Sequence, residues 1–406
     1  MSEWKKVKLG EIANIKTGKL DSNAAVTNGL YPFFTCDPNT LRINEWAYDT
    51  EAVLLAGNNA SGNYTAKYYI GKFNAYQRTY IIESSNTFVT STRFLAYAMN
   101  MQLQRLKVMS SGSTTKFITM KMLTSLEIPH PSIETQHRIA TILSRYDTLI
   151  ENYQKQIKLL EEAAQRLYKE WFVELRFPGH ENTNMVDGLL EGWERKAVSQ
   201  LGEYLNGFAF KPSDWQELGR PIIKIKEMGN GVGNDTPRNN GERVPAKYLV
   251  KAGDLLFSWS ATLMVIVWSG EEGWLNQHLF KVTPSEGIGR EFLLQSLSNA
   301  IEEFQNLTTG STMKHIQRNK LDQVFVNVPN DEIMELYNNV SEKVREEILY
   351  LSSQIRLLTE ARDRLLPRLM GGEMEVDAPK GQRAINPVHR SGYNPQTNHA
   401  LKGQKN

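Results

Sequence analysis

The sequence repeats itself at a fixed offset of 198 residues, and this repeat limits the possible folds more than any other feature. The segment Gly112–Ile118 matches Gly310–Ile316 at that offset. The segment Ile157–Ala163 matches Ile355–Ala361 at the same offset. Correspondence before these segments is weaker and needs small gaps. A direct repeat of this length predicts two copies of one structural unit, each with a constant rear part and a divergent front part.

The rear part of each copy is predicted to be a long helix. Pro131-Ser132 and Pro329-Asn330 supply a stop followed by an N-cap residue, and no Gly or Pro follows for more than 30 residues. Spacings of four and three then predict a coiled-coil seam at Ile142, Tyr146, Leu149, Tyr153, Gln156, Leu160, Ala163 and Leu167 in the first copy, and at Val344, Ile348, Leu351, Ile355, Leu358 and Leu365 in the second. Roughly 40 residues give a rod of about 60 Å. If two such helices pair antiparallel, a pseudo-twofold axis relates the two copies.

The front parts are predicted to be mixed α/β domains. Short apolar runs such as Ala52–Leu55 and Leu279–Val282 alternate with Gly- and Asn-rich turns, and helical stretches follow near Arg93–Val108 and Arg290–Leu307. The predicted organisation is a first domain at 1–131, a helix at 132–177, a second domain at 178–329, a helix at 330–376 and a tail at 377–406. The polar composition of the tail predicts disorder.

Several classes of protein are disfavoured by what the sequence lacks. Cys36 is the only cysteine, which excludes internal disulfides and zinc sites of the multi-cysteine kind. The apolar run Leu255–Trp268 is too short and too polar to cross a membrane, and no signal-peptide pattern opens the chain, so we expect a cytoplasmic protein without membrane contact. Motifs of amino-methyltransferases and of P-loop motors are also absent from the sequence. We therefore predict no catalytic residues and no metal ligands.

The charge distribution points to one loop in each copy. Residues 1–130 carry 14 basic and 9 acidic side chains, whereas residues 178–329 carry 15 basic and 18 acidic ones. The acid-free windows between Glu83 and Glu127 and between Glu303 and Asp322 each contain a Gly-Ser-Thr-x-Lys loop. The candidates for phosphate contact are Gly112, Ser113, Thr114 and Lys116 in the first copy, and Gly310, Ser311, Thr312 and Lys314 in the second. Gly lets backbone amides approach a phosphate, the hydroxyls donate to it and Lys supplies charge. A hydroxyl-capped turn before a strand is the alternative interpretation.

Reading of base edges needs side chains that donate and accept hydrogen bonds in pairs. In the first front part the candidates are Asn58, Asn59, Lys67, Gln77 and Arg78. In the second they are Lys224, Lys226, Arg238, Asn239, Gln277 and His278. For each of them taken singly, a solvated polar loop position is the alternative.

In combination these features resemble the specificity subunits of Type I restriction–modification systems, over essentially residues 1–376. The motifs that carry the resemblance are Leu9-Gly10-Glu11 with Leu201-Gly202-Glu203, the two Gly-Ser-Thr-x-Lys loops, Ile128–Pro131 leading into Gln136–Ala140, and Leu159–Ala163. The resemblance implies two variable target-recognition domains that each read one half of a bipartite asymmetric DNA site. It also implies that the two helices join these domains antiparallel and act as a ruler between the half-sites.

The same resemblance implies which partners the chain has. Two methyltransferase subunits would dock on the helices and the adjacent domain surfaces, flip an adenine and methylate it from S-adenosylmethionine. Restriction and translocase subunits, which use ATP and Mg²⁺, would join for cleavage. The chain itself would bind double-stranded DNA, hold no cofactor and catalyse nothing. Two alternatives remain: a coiled-coil scaffold whose flanking domains bind proteins, and the specificity partner of a different restriction system.

Overall fold

A computed structural model of the chain describes residues 4–59, 64–110, 116–307, 318–374 and 376. The chain divides into two compact units. Unit 1 comprises residues 1–141 and 366–406, and unit 2 comprises residues 142–365. The domain boundaries given above remain predictions, and the predicted disordered tail at 377–406 lies outside the described residues.

Unit 1 combines a mixed sheet with helices, as the sequence predicts. Its elements in chain order are β1 (Lys6–Lys8), α1 (Leu9–Ile12), β2 (Ala13–Thr17), β3 (Tyr31–Phe34), β4 (Leu41–Ile43), β5 (Tyr48–Ala56), β6 (Asn58–Asn59), β7 (Ala66–Ala75), β8 (Thr79–Ser84), α2 (Thr92–Met109), β9 (Lys116–Phe117), α3 (Met120–Thr124) and β10 (Glu127–Pro129), followed by the start of α4 (Ile133–Tyr168). A 3₁₀ turn at Ser22–Ala24 precedes β3.

The sheet of unit 1 has the order β2-β8-β5-β7-β3-β4. Most neighbours are antiparallel, but β3 runs parallel to the end of β7, where Phe33 pairs with Asn74 and Phe34 with Ala75. The run Ala52–Ala56 of β5 is buried without alternation, and α2 packs against β5 and β7. Helix α2 begins at Ser91, whose hydroxyl accepts from the Phe94 backbone N–H.

Unit 2 begins within α4 and contains its own sheet elements. In chain order they are β11 (Met185–Val186), β12 (Leu189–Leu190), β13 (Glu194–Ala197), β14 (Gly202–Asn206), β15 (Arg220–Ile223), α5 (Ile225–Asn230), β16 (Arg238–Asn239), β17 (Leu249–Val250), β18 (Leu255–Ser258), β19 (Met264–Val267), β20 (Gly273–Leu275), β21 (Leu279–Pro284), α6 (Arg290–Asn299), α7 (Ile301–Asn306), β22 (Phe325–Val328) and α8 (Asp331–Met370). A π-helical turn at Lys169–Val173 follows α4, and 3₁₀ turns lie at His180–Asn182, Val198–Gln200, Pro212–Asp214, Ala246–Tyr248 and Arg318–Asp322.

The strands of unit 2 repeat the neighbours found in unit 1. They form the orders β14-β21-β18-β19 and β16-β15-β20-β17. β14, β21, β18 and β15 take the places of β2, β8, β5 and β3, and β15 is again parallel to its neighbour β20. The single strand β7 of unit 1 corresponds to two strands, β19 and β20, which are separated by Trp268–Glu272. The divergent front parts therefore share one topology, which confirms the predicted repeat and the mixed α/β class.

The two long helices confirm the lengths expected from the sequence, with 36 residues in α4 and 40 in α8. Within unit 2 they run antiparallel. Arg362, late in α8, donates to the Asp147 carboxylate in the first half of α4 at 2.9 Å. Trp171, just after α4, packs 5.9 Å from the ring of Tyr337 in the second turn of α8. In this pair of helices, the early part of each helix therefore lies beside the late part of the other.

The predicted seam of α4 is wrong at three of its eight positions. Leu149 is 44% exposed, and Gln156 and Ala163 are also exposed. Leu143, Ile150 and Ala164, each one position later than a predicted seam residue, are buried. Adjacent apolar pairs, Ile142-Leu143 and Leu149-Ile150, allow two registers, and packing selects the second member. In α8 the six predicted seam positions are all buried or half-buried, which confirms that part.

A buried ion pair fixes α8 against α6 in unit 2. The guanidinium of Arg345 donates to both carboxylate oxygens of Glu291, at 2.8 and 3.1 Å. The side chains of Arg345 and Glu291 are 5% and 0% exposed. Gln295 donates a further hydrogen bond to Glu291 at 2.8 Å. Because every charge of this pair is met by hydrogen bonds, the pair can persist away from water.

A buried glutamine fixes the start of α4 in unit 1 through hydrogen bonds. The Gln136 amide donates to the carbonyls of Val89 and Pro131 at 3.0 and 2.9 Å, and its oxygen accepts from the Ser91 N–H at 2.9 Å. Its side chain is fully buried. Gln136 therefore ties the first turn of α4 to the segment that starts α2. At the repeat position of unit 2 stands an apolar residue, Met334, which is also buried.

Candidate nucleic-acid interface

The turn Gln77-Arg78 between β7 and β8 gathers several loops of unit 1 at one edge of its sheet. The Gln77 N–H donates to the Leu20 carbonyl, and the Gly57 N–H donates to the Arg78 carbonyl, both at 2.8 Å. The Gln77 and Arg78 side chains are exposed. We call the segment around this turn, with Gly18–Leu20, Cys36 and Gly57–Asn59, the turn edge of unit 1.

Lys116 of the first Gly-Ser-Thr-x-Lys loop lies at the same edge. It begins β9, which pairs antiparallel with β6 so that Lys116 stands opposite Asn59, and Phe117 opposite Asn58. The Ile118 N–H donates to the Gly57 carbonyl at 2.8 Å. The remaining loop candidates Gly112, Ser113, Thr114, Gly310, Ser311, Thr312 and Lys314 lie outside the described residues. Lys116 is therefore the one predicted phosphate-binding residue whose position in the fold the structure describes.

Two more predicted residues at this edge have distinctive environments. The Lys67 ammonium donates to the Thr40 hydroxyl at 3.1 Å, and burial lowers the pKa of this lysine although Asp37 opposes the shift. The side-chain oxygen of Asn58 is buried and has no hydrogen-bond partner among the residues that the structure describes. An unmet buried acceptor is costly, so this amide is suited to a donor brought by a ligand.

Unit 2 builds an equivalent edge around the turn Gln277-His278 between β20 and β21. The Asn276 N–H donates to the Ile223 carbonyl at 3.1 Å, just as the Tyr76 N–H donates to the Phe34 carbonyl at 2.9 Å in unit 1. Lys224 follows Ile223 directly, which places it beside this turn. We call the segment around the turn, with Gly207, Lys224 and Trp259-Ser260, the turn edge of unit 2.

Both edges depend on a glycine that lets two backbone segments touch. A Cβ atom on Gly18 would collide with the Ala75 carbonyl, and a Cβ atom on Gly207 would collide with the Asn276 carbonyl. The Gly18 N–H donates to the Thr79 carbonyl and the Gly207 N–H to the Leu279 carbonyl, each at 3.1 Å. The two edges are therefore the same backbone construction.

Three predicted residues of unit 2 are bound into the protein itself. Arg238 donates to the Gly219 carbonyl at 3.0 Å and to Glu271 at 3.1 Å, at the opposite end of β15 from Lys224. Asn239 is buried and its amide donates to the Asp214 carbonyl at 2.7 Å. Lys226 forms an ion pair with Asp235, and the hydrogen bond to that carboxylate raises the pKa of Lys226. Of the candidates in unit 2, the structure brings together Lys224, Gln277 and His278.

Two tryptophans at the edge of unit 2 were not predicted. The Trp259 ring packs 5.8 Å from the ring of His278, and the Trp259 backbone N–H donates to the His278 carbonyl at 3.4 Å. Trp215 lies under the ammonium of Lys224, 4.5 Å from the ring centroid. A tryptophan in a polar, Pro-containing stretch is the sequence signal that could have drawn attention to Trp215.

A cavity of about 390 Å³ in unit 1 is lined by none of the predicted DNA-binding residues. Its walls include Glu51, Tyr68, Arg93 and His137. The Tyr68 hydroxyl donates to Glu51 at 2.7 Å, and burial together with this carboxylate raises the pKa of Tyr68 to about 12. Arg93 stacks on the Tyr68 ring at 4.6 Å. Glu51, Tyr68 and Arg93 in this cavity thus contact one another.

Among the described residues, no group of three or more His, Cys, Asp or Glu side chains is arranged to hold a metal ion. None of the helices in the described ranges combines the length and the apolar character needed to cross a membrane.

Known proteins resemble this chain over most of its length. The family model described as Type I restriction modification DNA specificity domain matches residues 1–162 and 190–348. The chain is 42% identical over 165 residues to the Type I restriction enzyme EcoDI specificity subunit of Escherichia coli, covering 41% of this chain and 35% of that protein. It is 27% identical over 294 residues to the MjaIX specificity subunit of Methanocaldococcus jannaschii, covering 67% of this chain and 66% of that protein. The chain thus spans about a third and about two thirds of these relatives.

A solved structure shares the fold over nearly the whole chain. The Type I restriction–modification S subunit from M. genitalium superposes with a TM-score of 0.56 at 15% identity, covering 90% of this chain and 96% of that one. The family match covers both copies of the repeat, and each copy contains the turn edge described above. The chain belongs to the Type I restriction–modification DNA specificity family.

Proposed function

We propose that this chain is the non-catalytic DNA-reading subunit of a Type I restriction–modification complex, and that the turn edge of each unit contacts one half of a split, asymmetric DNA site. The observation that carries the proposal is that one backbone construction occurs in both units with partly different side chains on it. Unit 1 presents Gln77, Arg78 and Lys116, whereas unit 2 presents Gln277, His278 and Lys224.

The same frame with different side chains suits an asymmetric target. Arginine, lysine, asparagine and glutamine read the donor and acceptor patterns of base edges, so a change at these positions changes the preferred base. Contacts to phosphates, for which Lys116 is the candidate, fix register without reading sequence. In this proposal the antiparallel pair of α4 and α8 sets the gap between the half-sites.

The exposed leucines of the long helices support the docking of two copies of one partner. Leu159 on α4 is 64% exposed, and Leu357, its counterpart 198 residues later on α8, is 50% exposed. Equivalent apolar side chains left in water at equivalent positions favour two equivalent contacts. We assign these contacts to two methyltransferase subunits, with restriction and translocase subunits joining through them.

The chemistry belongs to those partners in this proposal. S-adenosylmethionine is the methyl donor of the methyltransferase subunits, and ATP and Mg²⁺ serve the restriction and translocase subunits. This chain contributes recognition and binds no cofactor itself. The assembly acts on double-stranded DNA in the cytoplasm.

Co-expression of the chain with its cognate methyltransferase, followed by sequencing that maps methylated adenines, tests the proposal. We expect a stable complex and methylation confined to one split, asymmetric motif. A stable complex without new methylation, or no complex at all, would favour the scaffold alternative. The double variant Leu159→Asp with Leu357→Asp should prevent co-purification of the methyltransferase, whereas Lys158→Ala, at an exposed neighbouring position, should leave it unchanged.

A further inference from the structure

Trp215 is held on a loop of unit 2 that is fixed on both sides. Before it, the Asp214 carboxylate accepts from the Lys211 N–H at 2.7 Å, and the Asp214 carbonyl accepts from the Asn239 amide at 2.7 Å. After it, the Gln216 N–H donates to the Arg238 carbonyl at 2.9 Å. Trp215 itself is 47% exposed. A rigid loop thus presents a large aromatic surface to water.

The ring of Trp215 is linked to the turn edge through Lys224, whose side chain covers it. The Lys224 ammonium stands 4.5 Å from the ring centroid, within the range of a cation–π contact. The backbone of Lys224 is fixed by Glu227, a buried residue whose carboxylate accepts from the Lys224 N–H at 3.1 Å and from the Thr236 hydroxyl at 3.0 Å. Ring and ammonium therefore form one preorganised surface, which Lys224 connects to the turn edge of unit 2.

The charges near this surface are mostly neutralised. Lys226 pairs with Asp235, Arg238 pairs with Glu271, and Arg220 lies 3.4 Å from Glu272. The segment 178–329 is also net acidic, with 15 basic and 18 acidic residues. Attraction to phosphates is consequently weaker here than in unit 1, and binding has to draw on another source of free energy.

We propose that Trp215 is a DNA contact of unit 2, in which the exposed ring packs against apolar carbon surface of the half-site while Lys224 above it faces a phosphate. The carbon surface is either a thymine methyl group or a deoxyribose. Apolar contact with the thymine methyl reads sequence in the major groove, and burial of the large aromatic surface supplies binding free energy. This inference rests on the proposed reading of DNA by unit 2.

The test uses the full chain in complex with its methyltransferase and a duplex that contains the mapped target. Trp215→Ala should weaken binding of the target about 10-fold, as expected for one lost aromatic contact, without changing the salt dependence. Trp215→Phe, which keeps an aromatic ring, should retain most of the wild-type affinity. Lys224→Met keeps an apolar side chain over the ring, and it should lower the slope of log affinity against log salt by about one.

Trp46 of unit 1 provides a matched control. It is 44% exposed and lies under Lys72, whose ammonium is 4.7 Å from the ring centroid, so it forms the same kind of pair. It stands near the start of β5, at the opposite end of that strand from Gly57. Trp46→Ala should leave the affinity unchanged.

Substituted DNA distinguishes the two sources of apolar surface. Replacing thymine by uracil within the second half-site removes only methyl groups. If Trp215 contacts a methyl group, this replacement should lower the affinity of wild-type protein as much as Trp215→Ala does, and it should not lower the affinity of Trp215→Ala any further. If Trp215 contacts a deoxyribose instead, the losses of affinity from the uracil replacement and from Trp215→Ala should be additive. Target DNA should also quench the part of the fluorescence that wild type has and Trp215→Phe lacks.

Unchanged target affinity of Trp215→Ala, with no quenching of the Trp215 fluorescence, would overturn the inference. Failure of the proposed function itself has a different signature. In that case the wild-type complex would bind target and scrambled duplexes equally well, and no variant would alter a preference that does not exist.

Discussion

The turn edges of units 1 and 2 share a backbone but differ in the chemistry that they present. In unit 1 the edge carries the exposed Arg78 together with Lys116. In unit 2 it carries Lys224, whose ammonium lies over the ring of Trp215, and His278, whose ring packs against Trp259. The difference shows that the backbone contacts, among them the glycine approaches, define the frame, and that side chains at the edge can change without disturbing it.

The sheets behind the edges differ in one respect that leaves the edges intact. β7 runs unbroken for ten residues, whereas its counterpart in unit 2 is divided into β19 and β20. Each half of the divided strand keeps its sheet neighbour position, because β19 pairs with β18 and β20 runs parallel to β15. Pairing at the edge is therefore local and survives an interruption elsewhere in the strand.

The largest expected effect is the loss of stability when a buried ion pair is broken, compared with the loss when a half-exposed pair is broken. Arg345→Met leaves the carboxylate of Glu291 buried without its cation, so we expect a loss of about 3–5 kcal/mol in the free energy of unfolding. Arg362→Met removes the partner of Asp147, whose side chain is 32% exposed, and should cost no more than about 1 kcal/mol. Urea denaturation followed by circular dichroism measures both. Equal losses would contradict the assigned difference in burial.

The next effect tests whether the two edges are one construction. Gly18→Ala and Gly207→Ala each force a methyl group against a backbone carbonyl, and both should cost roughly 3 kcal/mol in the free energy of unfolding. Gly229→Ala in α5 is the control, since its Cβ would meet only the Met264 methyl at 3.6 Å, and it should stabilise the protein by about 0.4–1 kcal/mol. A large loss of stability for only one of Gly18→Ala and Gly207→Ala would show that the two turn edges are not equivalent.

A smaller effect concerns the start of the long helices. Gln136→Met places in unit 1 the residue that unit 2 carries, but it leaves the Ser91 N–H and two carbonyls unpaired, at a cost of about 2 kcal/mol. Met334→Gln buries an amide in an apolar site and should cost a similar amount. Thermal unfolding of both variants checks this. A neutral Gln136→Met would show that the three hydrogen bonds do not hold the helix start.

The smallest effect addresses the electrostatic side of the comparison. If Lys116 contacts a phosphate, Lys116→Ala should weaken binding to target and scrambled duplexes alike, by several-fold, and should lower the salt slope by about one. Lys158→Ala removes an equal charge from α4, where the ammonium pairs with Glu162, and serves as the control. A slope that stays at the wild-type value for Lys116→Ala would remove this lysine from the interface.

Much of the candidate site could be predicted from residue type, since Asn58, Gln77, Arg78 and Lys116 do lie together in unit 1. Their common position follows from the pairing of β6 with β9 and from the Gly57 contact to the Arg78 carbonyl. The same reasoning did not anticipate the ion pair of Arg238, because its acid partner Glu271 is 33 residues away along the chain. Residue type reports what a side chain can bind, and only the fold reports whether a partner is already present.

The sequence by itself determined the repeat, the two long helices and the mixed class of the front parts, because these depend on patterns within short windows: identity at a constant offset, spacings of three and four, and Gly-rich turns. Tertiary structure alone decided the register of the α4 seam, in which Leu143 and Ile150 are buried rather than Ile142 and Leu149. It also decided that Trp215 lies under the ammonium of Lys224. Both depend on which distant surface a side chain meets, and the free energy of that contact exceeds any local preference.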